Sequence, residues 1–241
     1  MANDTNDIRV MLETEPKGKK VIAVATDWPG LERGAKTVEA AVERLLSYVP
    51  RYAPVAKLAG MEVEFATGTT GSAVDVVKVV ERYQGTGSTD FWGISFGFSS
   101  IDQQAVSGEE LERELTLMRA CWTFFVGVRC RVSAELQRGP RGGGRDRDRI
   151  VRHVLFNEQD WAPRDTRDTR DTRDRPQEDQ EAILTEEGLK AHREAYCNAI
   201  RELHAQNKMA RKWPLRYLIR HTAFHTLDHA WEMEDKDLTA K

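Results

Sequence analysis

Three of the chain's six histidines lie near its C-terminus, each four residues after the last: His221, His225 and His229. In an α-helix, a step of four residues advances only about 40° beyond a full turn, so these imidazoles should share one narrow stripe. Neutral imidazole is the commonest protein ligand for transition metals, and two at this spacing can bind one ion. The spacing therefore indicates a metal site. The alternative is a helix face that simply carries polar rings.

A tetrahedral or octahedral ion needs a further ligand from elsewhere in the chain. The best candidate is His153, which follows Ile150 by three residues. Ile150, Val154, Asn157 and Trp161 recur at helical spacing, and His153 lies at the border of that face.

The two remaining histidines, His192 and His204, stand alone in the sequence. Each is predicted to be a surface or packing residue.

Two segments resemble the DinB/YfiT superfamily. His153-Val154-Leu155-Phe156-Asn157-Glu158 is similar to its second bundle helix, and the ladder His221, His225, His229 is similar to its late His-x-x-x-His helix. Members are four-helix bundles that hold a divalent metal with three histidines. Carried over by position, the resemblance implies His153, His225 and His229 as ligands, with His221 one turn earlier. Here Ala230-Trp231-Glu232 stands where the superfamily commonly has Arg-Gly-Gln.

The resemblance implies a divalent transition metal (Zn, Ni, Fe or Mn) and, in some relatives, a low-molecular-weight thiol such as mycothiol or bacillithiol. The first functional hypothesis is thus a metal-dependent thiol S-transferase or hydrolase-type enzyme acting on small electrophiles. Its partners would be a small substrate or a thiol, with a homodimer left open. The acids nearest the ligands are Glu158, Asp228 and Glu232, and Glu158 is predicted to be a surface acid.

The composition is that of an ordinary globular chain, with 40% hydrophobic and 31% charged residues and a formal net charge of −3. This balance argues against nucleic acid or anionic lipid as a partner. The sequence has no apolar run long enough to span a membrane, and its polar N-terminus is unlike a signal peptide. Three cysteines without metal-site spacing indicate reduced thiols and a cytoplasmic location; they are Cys121, Cys130 and Cys197.

The N-terminal region alternates apolar and polar residues in a way that predicts a hairpin of strands over 8–14 and 21–25. Asp27-Trp28-Pro29-Gly30 ends it, and Thr37 should cap a helix that runs to about Tyr48. This region resembles the HicB-like antitoxin fold, which implies that it binds a protein partner. The second functional hypothesis is therefore a metal-stabilised interaction protein. A plain scaffolding role is the alternative.

Between these regions, alternation predicts a strand over 61–66, and helical spacing predicts a short helix over 73–83. The stretch 91–96 fits either a strand or an extended link. An Arg-Asp-Thr repeat over 164–175 has no apolar residue and should form a solvated loop.

Four long amphipathic helices are predicted in the C-terminal part, over about 109–136, 146–161, 185–206 and 214–234. The expected fold class is α+β, with a small N-terminal hairpin/α domain over 1–100 and a DinB-like four-helix bundle over 101–241. Sites in such bundles are built from inward side chains on facing helices.

Overall fold

The structure, a computed structural model, describes residues 7–68, 76–139, 144–163 and 181–239. These residues combine one four-stranded sheet with long and short helices, so the prediction of an α+β fold is confirmed. The Arg-Asp-Thr repeat lies outside the described residues.

The sheet has the strand order β3-β2-β1-β4. Antiparallel pairs join β1 to β2, as the predicted hairpin requires, and β2 to β3, while β4 runs parallel to β1. β3 was not predicted. The strands are β1 (Ile8–Thr14), β2 (Val21–Ala25), β3 (Glu32–Ala35) and β4 (Val77–Gln84).

Four short helices accompany the sheet. The first begins where predicted, because Oγ1 of Thr37 accepts a hydrogen bond from the Ala40 N–H at 3.2 Å. The helices are α1 (Val38–Ser47), α2 (Val49–Leu58), α3 (Glu62–Gly68) and α4 (Gly87–Trp92).

Four long helices follow, close to the predicted positions: α5 (Gly108–Arg131), α6 (Arg147–Trp161), α7 (Glu186–Ala205) and α8 (Leu215–Asp235). Side chains of Ser107, Asp146 and Thr185 cap the first three. The first was expected to continue to Leu136, but that residue instead forms an isolated bridge with Asp237. Within the described ranges, no helix combines the length and apolar character needed to cross a membrane.

Two local predictions were wrong. Residues 61–66 were expected to be a strand, but α3 begins at Glu62. Met61, just before the helix, and Phe65, four residues later, face inward, whereas Val63 is 81% exposed. The alternation of apolar and polar residues therefore did not reflect a strand, because Phe65 is the buried apolar residue of this helix and Val63 is exposed. The helix expected over 73–83 is instead largely β4, because pairing with β1 overrides the local spacing. Residues 73–75 lie outside the described part.

The stretch 91–96, predicted to be a strand or an extended link, begins instead with the last two residues of a helix. Phe91 and Trp92 end α4, and Gly93 closes that helix in the left-handed conformation, with φ of 71°. The chain then passes Ser95 and Phe96 without regular structure.

One face of the sheet and the long helices share a buried apolar cluster. Ile8 and Leu12 of β1 belong to the same cluster as Leu115 of α5 and Leu218 and Leu227 of α8. A boundary between two domains near residue 100 therefore remains a prediction, because the parts before and after it bury apolar residues in one shared cluster.

α8 is buried on nearly every side and is approached closely by the turn after β2. Gly30 has a φ of +95°, and a Cβ added there would lie 2.8 Å from Cδ1 of Leu227 and 3.2 Å from the backbone of Ala223. A side chain at residue 30 would therefore collide with the helix as well as strain the backbone.

A buried guanidinium joins α8 to the sheet side of the molecule. Arg220 donates from Nε and Nη2 to the two carboxylate oxygens of Asp102, each at 2.8 Å. Its Nη1 donates to Oγ of Ser95 at 2.9 Å, and Nη2 also donates to the Gly97 carbonyl at 3.2 Å. Burial alone would raise the pKa of Asp102, but the charge and hydrogen bonds of Arg220 hold it below its usual value.

Two further buried carboxyl groups surround this pair. Glu13 accepts hydrogen bonds from the hydroxyls of Thr89 and Ser95 at 2.5 and 2.6 Å. Glu32 lies 3.5 Å from Nη1 of Arg220, and burial raises the pKa of its carboxyl to about 8. Asp102, which accepts two hydrogen bonds from Arg220, is its closest counter-charge.

Replacing Arg220 by methionine should destabilise the protein by about 3–5 kcal/mol, because Asp102 would remain buried without its partner. The exposed pair Arg201–Glu112 provides a matched control, and Arg201→Met should cost less than about 1 kcal/mol. Urea unfolding of both variants measures the difference. Equal losses of unfolding free energy in the two variants would show that the buried pair stabilises the protein no more than the exposed pair does.

Candidate metal centre

Three of the predicted ligands meet in space. His153 of α6 and His225 and His229 of α8 each offer one nitrogen, and these nitrogens lie within 4.8 Å of one another. The Nε2 atoms of His153 and His225 are 3.3 Å apart. All three rings are partly buried, so the cluster sits at the edge of the core rather than deep inside it.

The geometry follows from two well-defined helices. On α8, His225 and His229 are one turn apart, and their ring centroids are separated by 4.7 Å. On α6, which the Asp146 side chain caps, His153 faces both of them, with ring centroids at 5.1 and 4.9 Å. The i, i+4 spacing thus supplies one side of the cluster and the packing of α6 against α8 supplies the other.

The spacing suits a transition metal. With metal–nitrogen bonds of about 2.0–2.1 Å, two ligands of a tetrahedral ion lie roughly 3.3–3.4 Å apart. The separation of 3.3 Å between His153 and His225 matches this value. The donor set contains imidazoles alone, which suits Zn, Ni, Fe or Mn better than calcium or magnesium.

Burial keeps two of the rings in the form that binds metals. It lowers the pKa of His153 to about 4, with a further decrease from His229 and Arg145. The pKa of His225 falls well below its usual value, first through burial and then through the neighbouring rings. Both imidazoles are therefore neutral near pH 7, and binding an ion there displaces few protons.

Two polar side chains contact the Nδ1 atoms of two of the ligands. Glu232 Oε2 lies 2.7 Å from Nδ1 of His229, and this hydrogen bond lowers the pKa of Glu232 to about 2. Asn157 Nδ2 lies 3.2 Å from Nδ1 of His153 and donates to the backbone oxygen of the same residue at 2.8 Å. A carboxylate such as Glu232 can accept the Nδ1–H of His229 and leave Nε2 of that ring for the metal, whereas the Asn157 amide nitrogen is itself a donor and does not fix that tautomer of His153. Sequence reasoning singled out Glu232 only as a nearby acid and placed Asn157 on an apolar face, although their offsets of three and four residues are contact spacings.

The first member of the ladder, His221, has a different environment. Its ring stacks on Tyr217 at 5.2 Å and contacts Trp161 at 4.8 Å and Trp213 at 5.5 Å. Burial lowers the pKa of His221 to about 3, so it is a neutral ring in an aromatic pocket. It does not belong to the three-nitrogen cluster.

The prediction that Glu158 is a surface acid was wrong. Its side chain is 1% exposed and accepts two hydrogen bonds from Arg193, both at 3.1 Å. Its offset of five residues from His153 turns it away from the cluster and towards α7. There it also lies 3.4 Å from Nε2 of His192.

The isolated histidines lie away from the cluster. His192 packs beside Glu158, and Nε2 of His204 lies 2.7 Å from the Val106 carbonyl oxygen. The remaining nearby acid, Asp228, lies 3.4 Å from the buried Arg33.

The cysteines are free, and two of them are buried. Burial raises the pKa of the Cys121 and Cys197 thiols, so neither is activated as a nucleophile. Cys130 is exposed on α5.

Replacing Glu232 by glutamine should weaken zinc binding by about 10–100-fold, because the charged partner of His229 is lost. Asp228→Asn removes the same charge from the same helix without touching a ligand, and it should have a much smaller effect. Competition with a chelating dye measures both affinities. Equal weakening would mean that only the net charge near the site matters.

Below a pH of about 6.5, His221 should make stability depend on pH. The unfolded chain takes up a proton near that value, whereas the folded ring resists protonation down to about 3. Stability is thus fully present above 6.5 and is lost as pH falls. With chelator present throughout, urea unfolding of the parent should lose about 1.4 kcal/mol per pH unit more than His221→Phe. Parallel profiles would contradict this assignment.

Comparisons with protein-family models, curated proteins and solved structures found no significant match to this chain. The resemblance to the DinB/YfiT superfamily therefore rests on the residues of the two histidine segments and on their spacing.

Proposed function

We propose that this chain is a DinB/YfiT-like metal protein in which α5, α6, α7 and α8 form the four-helix bundle. The observation that supports this most directly is the meeting of His153, His225 and His229 from two helices within 4.8 Å. In such bundles, sites lie between facing helices, as these residues do. The ligand set is the one expected from the resemblance.

The proposed site is catalytic rather than purely structural. Three protein ligands leave at least one coordination position, whereas closed structural zinc sites use four. A bound divalent metal supplies Lewis acidity, which lowers the pKa of a bound water or thiol and polarises an electrophile. The partly exposed rings leave the site accessible, while the hydrogen bond between Glu232 and Nδ1 of His229 orients that ligand.

The proposed reaction is transfer of a low-molecular-weight thiol to a small electrophile, or a related hydrolysis. The buried Cys121 and Cys197 are not activated, so neither would serve as the thiol, which in this proposal comes from solution. In this scheme the histidines hold the ion, Glu232 fixes His229, and Trp161, with its ring 4.8 Å from His225, shields one side from water.

The second candidate is a metal-stabilised interaction protein whose N-terminal HicB-like region binds a partner. One observation favours it: Phe91 and Trp92, at the end of α4, are 75% and 65% exposed and contact each other at 4.7 Å. Exposed aromatic pairs are enriched at protein interfaces.

Protein purified without a chelating tag should hold about one divalent transition metal ion per chain. His225→Ala should empty the site because it removes one of three ligands, while His192→Ala should leave the metal content unchanged. Elemental analysis of the three proteins gives the answer. Equal metal content in His225→Ala and the parent would refute the ligand assignment.

The same three proteins separate the two functions. An enzyme should consume a low-molecular-weight thiol in the presence of small electrophiles, and this activity should disappear in His225→Ala but not in His192→Ala. Metal that raises the unfolding temperature without any such turnover would favour the interaction protein.

A further inference from the structure

A pocket of about 240 Å³ lies beside the histidine cluster, between the end of α6 and the turn that leads into α8. Its walls are apolar and come mainly from Trp161, Pro163, Ala210 and Trp213. The two indole rings are 6.1 Å apart and inclined at 52°. Paired aromatic walls of this kind suit a flat or slender apolar group.

The only charged side chains that line this pocket, within the described residues, are Arg211 and Lys212. Both are exposed at the tip of a tight turn. Two backbone hydrogen bonds between Ala210 and Trp213, each of 3.0 Å, close the turn, and Arg211 adopts a positive φ of 57°. A non-glycine residue in that conformation is unusual, and the closed turn fixes the backbone from which the two cations extend.

These cations have no acidic partner in the part of the chain that the structure describes, although most arginines lining the other clefts do. An apolar pocket whose positive rim has no acidic partner among the described residues is complementary to a ligand with an apolar body and a negative end. The volume lies below the usual range of about 300–1,000 Å³ for ligand sites, which limits the ligand to a small molecule.

We propose that this pocket binds a small aromatic carboxylate, with its ring packed against Trp161 and Trp213 and its carboxylate at Arg211 and Lys212. Arginine suits this role because its fork of N–H donors matches a carboxylate.

The pocket and the histidine cluster share a wall. Trp161 lines the pocket, and its ring lies 4.8 Å from His225 and 4.8 Å from His221. None of the three clustered histidines lines the pocket. Binding therefore does not require an ion, and the inference does not depend on the proposed function.

The probe is 3-phenylpropionate, titrated at constant ionic strength into full-length protein with ¹⁵N-labelled tryptophan. The indole N–H signals of Trp161 and Trp213 are identified by their loss in the Trp161→Phe and Trp213→Phe proteins. These two signals should shift in a saturable way, with a dissociation constant in the millimolar range expected for so small a ligand. The signals of distant tryptophans such as Trp28 and Trp122 should not move.

Charge at the rim is tested by the double variant Arg211→Gln/Lys212→Gln, which should bind the probe about 10-fold or more weakly. The neutral analogue 3-phenylpropanol should bind weakly and equally to parent and variant. Lys17→Gln/Lys19→Gln removes the same charge from the exposed β1–β2 turn and should leave affinity unchanged.

Three results would overturn the proposal: no shift of the two indole signals, equal weakening in both double variants, or equal affinity for the acid and the alcohol. His225→Ala protein should retain probe binding even where its metal is lost. Loss of probe binding there would refute a pocket separate from the histidine cluster. Failure of the metal assignment alone would leave the pocket result intact.

Discussion

The burial of α8 on nearly all sides is the constraint on which the rest of the structure depends. A helix in this position is expected to be apolar all round, yet α8 contains two arginines and three histidines. Each polar group must find a partner within the core, because leaving it unpaired there costs several kcal/mol. Arg220 meets Asp102, while His225 and His229 meet His153. The partners of α8 thus decide how α6 and the sheet-side segments pack.

Neighbouring turns of this helix create separate chemical environments. Arg220 faces a buried carboxylate and His221 faces four aromatic rings, although the two residues are adjacent. One turn later, His225 reaches the edge of the core and two other imidazoles. The advance of about 100° per residue distributes these groups over different neighbours. A charged network, a neutral aromatic pocket and a cluster of metal-type donors therefore coexist within three turns.

Local sequence signals predicted much of this arrangement. The spacing of the histidine ladder and the caps at Thr37 and Thr185 depend on residues within one turn, and each appears where expected. Signals that depend on distant partners were missed. β4 is a strand because it pairs with β1, about 70 residues earlier, and Glu158 is buried because Arg193 reaches it from another helix. The spacing of the ladder alone did not separate His221 from the ligands; the resemblance did, and the tryptophans around it supply the physical reason.

The order of these elements along the chain bears on folding during synthesis. β1, β2 and β3 pair with near neighbours, but α8 follows every other element and fills the centre of the shared core. Until it emerges from the ribosome, α5 lacks the helix against which it packs most extensively. Exposed surface of this kind makes nascent intermediates prone to aggregation and dependent on chaperones. The helix that contains the histidine ladder is therefore also the one that ends this vulnerable interval.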